Sequence, residues 1–317
     1  MKHLWEDLLT ALCMGFVLPG IMLNAGQMAM KSEAEVPELP TETALVHPVK
    51  VRTGSRVEEM ELEAYLVRVV LAEMPASFAP EALKAQSIAS RTYVCKAMGS
   101  EGKHNDGSIC TDAACCQGYI TEAQYLEQGG TRESVEKVAS AVADTAGKVL
   151  VYEGQLIEAT YFSCSGGSTE DAVAVWGTEY PYLRSVSSPE PKAGHYDQTR
   201  SFTPEEFQAL LGRNLKGSPK DWITITTYTK GGGVASMTIG GEVYSGTEIR
   251  SLLGLRSTVF TVEISGQSLN FTTRGYGHRV GMSQYGAEAM ALAGSGYPDI
   301  LAHYYPGTEL TCLGSGK

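Results

Sequence analysis

The stretch "LVRVVLAEMPASFAPEALKAQSIASRTYV" (Leu66–Val94) constrains the fold of this chain more than any other. Its first apolar residues recur at the spacing of one helix face, and the next position on that face is Glu73. Pro75 has no backbone N–H and restricts Met74 away from helical angles. The helix predicted over residues 58–74 therefore ends at a glutamate on its apolar face.

Glu73 is expected in the last helical turn, on the side that faces the core. Burial and the negative end of the helix dipole both disfavour an ionised carboxylate there. A carboxyl group that keeps its proton near neutral pH can act as a general acid. The structural alternative is that Glu73 only caps the helix or extends its carboxylate to solvent.

Length and composition limit the class of protein. The chain has 317 residues, room for about two domains, and 43% of them are hydrophobic, enough for packed cores. Its formal net charge is −11, with 36 acidic against 25 basic residues, and no basic cluster occurs in the sequence. Binding to nucleic acid is excluded on this basis, because phosphate contacts need concentrated positive charge.

The N-terminus predicts attachment to a membrane. Residues 1–24 contain an uncharged apolar stretch, Leu8–Leu23, which is slightly shorter than the roughly 20 residues of a comfortable membrane span. An uncleaved anchor is favoured over a cleaved signal, because no clear small-x-small cleavage site follows. Residues 25–47 are acidic, contain proline and predict a linker. The body of the protein is then expected on the far side of the membrane.

Local patterns predict further helices and strands. A second helix, rich in small residues, is expected from Pro80 to about Met98, and a third from about Arg132 to Ala143. The stretch "GKVLVYEGQLIEATYFSCSGG" predicts two strands that turn at Glu153-Gly154.

The order of these patterns predicts an α+β fold without a lysozyme-like helical domain. A mixed core domain is expected from residues 48–195 and 258–317. Residues 196–257, with two short helical patterns around glycine-separated strands, are expected to form an inserted, smaller α+β subdomain.

The loop "KHNDGSICTDAACCQGY" carries a candidate metal site. It contains His104, Cys110, Cys115 and Cys116, a complete set of four zinc ligands. The spacing matches no standard zinc finger, and adjacent cysteine side chains diverge. A disulfide such as Cys110–Cys116 is the alternative outside the cytoplasm. A closed four-ligand site would make zinc structural.

Two glycine-containing motifs occur later in the chain. "YFSCSGGSTEDAVAVWG" presents Cys164 at a tight turn but lacks a G-x-S-x-G elbow and a nearby histidine, so it favours a cleft wall with Trp176 beneath a sugar ring over covalent catalysis. In "GYGHRVGMSQYGAEAMA", Ser283 is placed to cap a helix. His278 in this loop is either a proton carrier or an ordinary hydrogen-bond partner.

Three blocks together resemble one family. "RVVLAEMPASFAPEALKAQSIASRTYV", "HNDGSICTDAACCQGY" and "GHRVGMSQYGAEAMA" are similar to the stage II sporulation protein D family of lytic transglycosylases. "YFSCSGGSTEDAVAVWG" and "GTEIRSLLGLRSTVF" fit the same pattern, so the resemblance covers about Val49 to Pro306. Two positions depart from it: Arg279 stands where glycine commonly follows the histidine, and Cys115 stands where relatives often carry histidine.

The resemblance implies a membrane-anchored enzyme that cuts peptidoglycan between mother cell and forespore during engulfment, with Glu73 as its catalytic acid. It also implies two partners, the amidase stage II sporulation protein P and the multi-pass stage II sporulation protein M. The broader family includes amidase enhancers, so a non-catalytic wall-binding protein is one alternative. A zinc-dependent amidase or peptidase is another.

A lytic transglycosylase can use one carboxyl group where a glycoside hydrolase usually needs two. We therefore expect Glu73 to break the linkage between N-acetylmuramic acid and N-acetylglucosamine with formation of a 1,6-anhydro ring. Six residues from these motifs are the candidates for holding the glycan: Arg91, Tyr93, Gln117, Trp176, His278 and Gln284.

Overall fold

The computed structural model describes residues 48–99, 102–190 and 197–314. They form two compact units, one containing the residues up to Ala159 and from Thr308 onward, the other Thr160–Gly307. Both units contain helices and strands, which confirms the α+β class. The expected anchor and linker, residues 1–47, lie outside the described residues. Within the described ranges, no helix combines the length and the hydropathy needed to cross a membrane.

In its described residues, the first unit combines four helices with two three-stranded sheets. In one sheet the central strand pairs with an antiparallel and a parallel neighbour, and in the other both pairs are antiparallel. Its elements are β1 (Val49–Thr53), β2 (Arg56–Met60), α1 (Leu62–Glu73), α2 (Pro80–Ala97), β3 (Ile109–Cys110), α3 (Glu122–Glu127), α4 (Arg132–Ala143), β4 (Lys148–Tyr152), β5 (Gln155–Leu156) and a C-terminal strand, Glu309–Cys312. The sheet orders are β2-β1-β3 and C-terminal strand-β4-β5.

Helix α1 ends where the sequence predicts but begins later. The expected start at Glu58 is wrong, because β2 turns back at Gly54 and pairs with β1, so that Val49 lies opposite Met60. At the other end Met74 is extended, with φ −131° and ψ 137°, ahead of Pro75. The proline therefore ends the helix with Glu73 as its last residue.

The other local predictions for this unit are largely confirmed. Helix α2 begins at Pro80 and ends one residue before the expected Met98, and α4 has the expected bounds with Thr131 as its cap. The turn between β4 and β5 lies at Glu153 and Gly154, both with positive φ (50° and 77°). Such a turn matches the twist of a two-stranded hairpin.

The core of the first unit lies between its helices. Helix α1 packs against α2 and α4, and α2 also packs against β4. The inner face of α1 is fully buried at Tyr65, Leu66, Val69 and Val70, as its 3.6-residue pattern predicts. This packing holds the last turn of α1 in place.

The second unit contains the remaining elements. They are β6 (Tyr161–Phe162), β7 (Gly167–Ser168), α5 (Ala172–Trp176), β8 (Ser187–Ser188), β9 (Asp197–Phe202), α6 (Pro204–Leu211), a 3₁₀ turn (Pro219–Asp221), β10 (Ile223–Tyr228), β11 (Val234–Ile239), β12 (Glu242–Ser245), α7 (Gly246–Leu252), β13 (Phe260–Ser265), β14 (Ser268–Arg274), β15 (Met282–Ser283), α8 (Gln284–Leu292) and α9 (Tyr297–Tyr304). The sheets have the orders β10-β11-β12, β13-β14-β9, β15-β6 and β7-β8.

The structure divides the chain differently from the sequence prediction. Strand β9 pairs with β14, and Phe202, Trp222, Phe260 and Phe271 share one hydrophobic core. The expected boundary at residue 257 is therefore wrong, since strands on both sides of it form one sheet and one core. Residues 160–190 also belong to this unit and not to a core shared with residues 48–159.

Candidate functional site

Among the residues that the structure describes, Glu73 accepts a hydrogen bond from one donor. The backbone N–H of Gly118 donates to its Oε1 at 2.5 Å. Part of the side-chain surface stays accessible, but desolvation of the carboxyl group raises its pKa to about 7, against a smaller lowering by the Gly118 hydrogen bond. Among the described residues, neither a cation nor a second carboxylate contributes to this pKa. The group can therefore exist in both protonation states near neutral pH.

The residues before and after Gly118 are hydrogen-bonded to helix α1. Before it, the Tyr65 hydroxyl donates to Gln117 Oε1 at 3.2 Å. After it, the Tyr119 hydroxyl accepts from Arg68 at 2.6 Å, and the Ile120 N–H donates to the Arg68 carbonyl. These contacts fix the direction of the Gly118 N–H.

Two of the expected glycan-binding residues in this unit have structural roles instead. Arg91 is fully buried and donates both to the Glu63 carboxylate, at 2.6 and 3.0 Å, and to the carbonyls of Val142 and Lys148. With its guanidinium occupied in the core, Arg91 is not available to a polysaccharide, and that prediction is wrong. Gln117 is likewise 1% exposed, and its amide is hydrogen-bonded to Tyr65 and to the Ser90 carbonyl.

Tyr93 remains a candidate for substrate contact. Its side chain is partly exposed, and the Lys103 ammonium lies over its ring at 5.9 Å. Burial is the main cause that raises the pKa of its hydroxyl above the ordinary value. The hydroxyl therefore remains a neutral hydrogen-bond donor at physiological pH.

The four expected metal ligands converge in the first unit. His104, Cys110, Cys115 and Cys116 each offer one ligand atom, and these atoms lie within 4.8 Å of one another. The adjacent cysteines both reach the site because the N–H groups of Cys115 and Cys116 donate to the Asp112 carbonyl, which folds the chain into a turn. None of the three cysteines forms a disulfide.

The distances between the ligand atoms test whether zinc would fit. Tetrahedral geometry with Zn–S and Zn–N bonds of about 2.3 and 2.05 Å requires S–S and S–N separations of about 3.8 and 3.6 Å. Here Cys115 Sγ lies 3.8 Å from Cys116 Sγ, and His104 Nε2 lies 3.6 Å from Cys116 Sγ and 3.8 Å from Cys115 Sγ. The donor set fits zinc, with His104, Cys115 and Cys116 at tetrahedral spacing and Cys110 Sγ within 4.8 Å of the other three ligand atoms.

In the second unit, the imidazole ring of His278 is hydrogen-bonded to the backbone. Its Nδ1 accepts the Val280 N–H at 3.1 Å, and the ring also hydrogen-bonds the Tyr161 backbone. Its pKa is lowered to about 3, mainly by desolvation and then by the Arg250 charge. Of the two interpretations of His278, the structure favours the hydrogen-bond partner.

His278 also supports Trp176. The imidazole lies between Phe162 and Trp176, with ring centroids 5.7 and 5.3 Å away. Trp176 is the last residue of α5 and keeps part of its surface exposed. A partly exposed aromatic ring that packs against an imidazole in this way is a suitable surface for stacking against a sugar ring.

Arg279 stands where the family pattern commonly has glycine, and the structure shows how the arginine is accommodated. Its φ is 67°, in the left-handed region that favours glycine. The fully buried guanidinium donates to the carbonyls of Ser165, Ser168 and Gly231 and lies 3.6 Å from Glu170. Arg279 thus adopts the backbone conformation that favours glycine. Its hydrogen bonds offset the strain of this conformation, about 1–2 kcal/mol.

The remaining sequence candidates in this unit are structural. Gln284, expected to contact glycan, begins α8 and is 2% exposed, so that prediction is wrong. Ser283 caps α8 by accepting the Gly286 N–H, as predicted. Burial raises the pKa of Cys164 to about 12, which keeps its thiol protonated and agrees with the argument against covalent catalysis.

Sequence reasoning missed Gly118 and Tyr65. Gly118 follows the metal loop within "CCQGY", but a glycine after a turn gives no signal of the carboxylate it approaches. Tyr65 occupies an ordinary core position of α1, and only the structure reveals that its hydroxyl reaches Gln117.

Comparison with known proteins shows which family this chain resembles. A family model described as Stage II sporulation protein matches residues 51–152. Stage II sporulation protein D of Bacillus subtilis (strain 168) is 43% identical over 279 residues, covering 85% of this chain and 81% of that protein. Its counterpart in Bacillus amyloliquefaciens is 42% identical over 270 residues, covering 83% and 78%. An amidase enhancer of Bacillus subtilis (strain 168) is 30% identical over 299 residues, covering 77% of this chain and 40% of that protein. The chain therefore belongs to the stage II sporulation protein D family, and its role lies in sporulation.

Proposed function

We propose that this protein is a peptidoglycan lytic transglycosylase that acts in engulfment during endospore formation. The observation that carries the proposal is the carboxyl group of Glu73, whose pKa is raised to about 7 by burial at a helix end, with no second carboxylate among the described residues contributing to it. A single carboxyl group that alternates between acid and base near neutral pH is what this reaction needs.

The reaction then follows from one residue in two roles. The protonated Glu73 carboxyl donates its proton to the oxygen between N-acetylmuramic acid and N-acetylglucosamine, and the C1–O4 bond breaks as an oxocarbenium-like centre forms. The resulting carboxylate accepts the proton of the C6 hydroxyl of the same N-acetylmuramic acid. Its oxygen bonds to C1, which closes the 1,6-anhydro ring. Glu73 is regenerated as the acid, and no water is consumed.

Binding of the glycan must supply the rest of the acceleration. General acid–base catalysis contributes roughly 10²–10⁴-fold, well below the total rate enhancement of most enzymes. Tyr93, Trp176 and His278 are partly exposed and remain the candidates for substrate contact or support. Trp176, held against His278, offers an aromatic face for a sugar ring.

We also propose a structural zinc ion on His104, Cys110, Cys115 and Cys116. The spacing of the ligand atoms supports it. A closed set of four ligands leaves no open position for a reacting water, so the ion would hold the loop that leads into Gly118. Chelation should lower the melting temperature first and activity only as the loop loosens. Complete loss of turnover at an unchanged melting temperature would instead indicate metal-dependent chemistry.

The location and the partners remain proposals by family resemblance. Residues 1–24 would anchor the protein, with the catalytic part in the space between mother cell and forespore. Stage II sporulation proteins P and M are the proposed partners. Co-purification of these proteins from sporulating cells, with and without residues 1–24, would test both points together.

Muropeptide analysis tests the proposed reaction. Purified protein incubated with peptidoglycan should release fragments with 1,6-anhydro ends, recognised by mass spectrometry as 18 Da lighter than hydrolysed ends, the mass of one water. The Glu73→Gln variant should lose at least 10²-fold of this activity while remaining folded. Glu61→Gln is the matched control, because Glu61 is exposed and its side chain makes no cap hydrogen bond. Normal anhydro product from the Glu73→Gln variant would refute the mechanism.

The same experiment distinguishes two rivals. The similarity to an amidase enhancer supports a non-catalytic wall-binding protein as the second candidate. That protein would release nothing alone but would increase the products of an added amidase. A zinc-dependent amidase or peptidase would release stem peptides or shorten them, without anhydro ends.

A further inference from the structure

The carboxyl group of Glu73 has one hydrogen bond whose polarity is known. A backbone N–H can only donate, and Oε1 accepts it from Gly118. The carbonyl oxygen of a protonated carboxyl is a stronger acceptor than its hydroxyl oxygen, so this contact favours the form with the transferable proton on Oε2. The Gly118 N–H therefore favours Oε2 as the oxygen that gives up the proton.

The approach of Gly118 to this carboxyl leaves no room for a side chain. A Cβ atom at residue 118 would lie 2.8 Å from Glu73 Oε1, 3.2 Å from its Cδ and 3.5 Å from Ala72 Cβ. Gly118 does not have a positive φ, so its backbone conformation is open to any residue. Glycine is needed here because of Glu73 and not because of a turn.

The donor is also held rigidly. Gln117 is buried and bonded to Tyr65 and Ser90, while Tyr119 and Ile120 are bonded to Arg68. The helices that carry these partners, α1 and α2, pack against each other. The N–H of Gly118 thus points at the end of α1 before any substrate arrives.

We propose that Gly118 is a positioning residue for the transglycosylase reaction: its backbone N–H orients the Glu73 carboxyl with the acidic proton on Oε2, and its missing side chain makes this contact possible. The catalytic role of this contact rests on the proposed function. The hydrogen bond also stabilises the carboxylate that remains after proton transfer.

The Gly118→Ala variant tests the catalytic part. We expect a folded protein whose kcat falls about 10- to 100-fold with little change in KM, because the acid is displaced while the glycan sites are intact. The added Cβ separates the carboxyl from the backbone N–H that lowers its pKa, so the pKa of Glu73 rises and the alkaline limb of the pH–rate profile should move to higher pH. Glu61→Gln is the control, since Glu61 is exposed and its side chain makes no cap hydrogen bond; kcat and profile should stay as in the unsubstituted protein.

Other titratable groups near this carboxyl do not produce the same shift. Tyr65, on the same helix, interacts electrostatically with Glu73 and also with Tyr93, Cys110 and Cys116. Its pKa is raised above the ordinary value, mainly by burial, so its hydroxyl stays neutral across the range studied. A limb that moves in Gly118→Ala but not in Glu61→Gln therefore reports on Glu73.

A measurement on the unsubstituted protein does not depend on activity or on the folding of a variant. Labelling glutamine carbonyls with ¹³C and glycine nitrogens with ¹⁵N selects the amides of Gly118 and Gly129, the two glycines that follow a glutamine. The Gly118 amide proton should shift with a midpoint near the pKa of Glu73, about 7. The exposed Gly129 should not shift, and the Gly118 titration should disappear in Glu73→Gln.

The outcomes separate this inference from the proposed function. A flat Gly118 titration, or a folded Gly118→Ala protein with unchanged kcat and pH profile, would overturn the positioning role. A clear Gly118 titration in a protein that never forms anhydro product would support the contact and overturn the transglycosylase assignment instead.

Discussion

Glu73 in the first unit and Glu190 in the second are both carboxyl groups removed from bulk water, but they are hydrogen-bonded very differently. Glu73 accepts one backbone N–H and lies at the negative end of a helix. Glu190 is 2% exposed and accepts the Ser165 N–H, at 2.8 and 3.0 Å, and the hydroxyls of Ser188 and Ser283. One carboxyl group is thus poorly compensated for burial, and the other is surrounded by donors.

The same contrast extends to the other buried carboxylate of the second unit. Glu170 is 1% exposed and is matched by the Thr229 hydroxyl, the Gly231 N–H and the Arg279 guanidinium. Burial of a charge is stable only when hydrogen bonds and countercharges replace water. The difference teaches that burial alone does not mark a catalytic acid. A buried carboxyl group left with few donors is the better candidate, because its proton remains available.

The strongest test of this comparison is to make the same substitution at both glutamates. Glu190→Gln should lower the free energy of unfolding by about 2–4 kcal/mol, because an amide NH₂ would face donors that now bond to a carboxylate. Glu73→Gln should not lower it near neutral pH, since the amide resembles the protonated carboxyl and does not ionise in the unfolded chain, yet should lose at least 10²-fold of activity. Urea denaturation and muropeptide analysis measure the two quantities.

Either of two results would break the comparison. If Glu73→Gln lost as much stability as Glu190→Gln, Glu73 would be a structural carboxylate. If the folded fraction of Glu190→Gln lost as much activity as Glu73→Gln, the hydrogen-bond count would not distinguish the roles.

The pH dependence of stability gives a smaller effect that sharpens the same point. The pKa of Glu73 is about 7 in the folded protein against an ordinary 4.5, so the native state binds more protons between these values. Stability contributed by the protonated group is present below pH 4.5 and is lost as pH rises to 7, by at most about 3 kcal/mol. Relative to Glu73→Gln, the unsubstituted protein should become progressively less stable from pH 5 to pH 8. A difference that stays constant over this range would contradict the raised pKa.

Local features of this fold were predictable because they depend on neighbouring residues. Pro75 ends α1, Thr131 caps α4, and Glu153-Gly154 form the hairpin turn, each through contacts a few residues away. The convergence of the four metal ligands was also predictable, since they lie within 13 residues of sequence.

The errors concern contacts between distant parts of the chain. The domain boundary was wrong because β9 pairs with β14 across the intervening helices and strands, and no local pattern encodes that partner. Arg91 and Gln284 are polar residues in motifs that suggested substrate binding. Their residue type therefore did not predict that they are buried. Gly118 was missed for the same reason, because its function depends on a carboxyl group 45 residues earlier.

The smallest expected effect concerns His278, in the second unit. Its pKa is lowered to about 3 by desolvation and by Arg250, so the imidazole should stay neutral from pH 5 to pH 8. In NMR its ring proton signal should not shift over this range, whereas in the urea-unfolded chain it should titrate near pH 6.5, the ordinary value. His278→Asn should leave the alkaline limb of the pH–rate profile in place, because no proton passes through the ring, while the loss of packing against Trp176 weakens glycan binding and raises KM. A titration between pH 6 and 7 together with the loss of a limb would make His278 a second proton carrier, and the single-carboxyl mechanism would then need a partner.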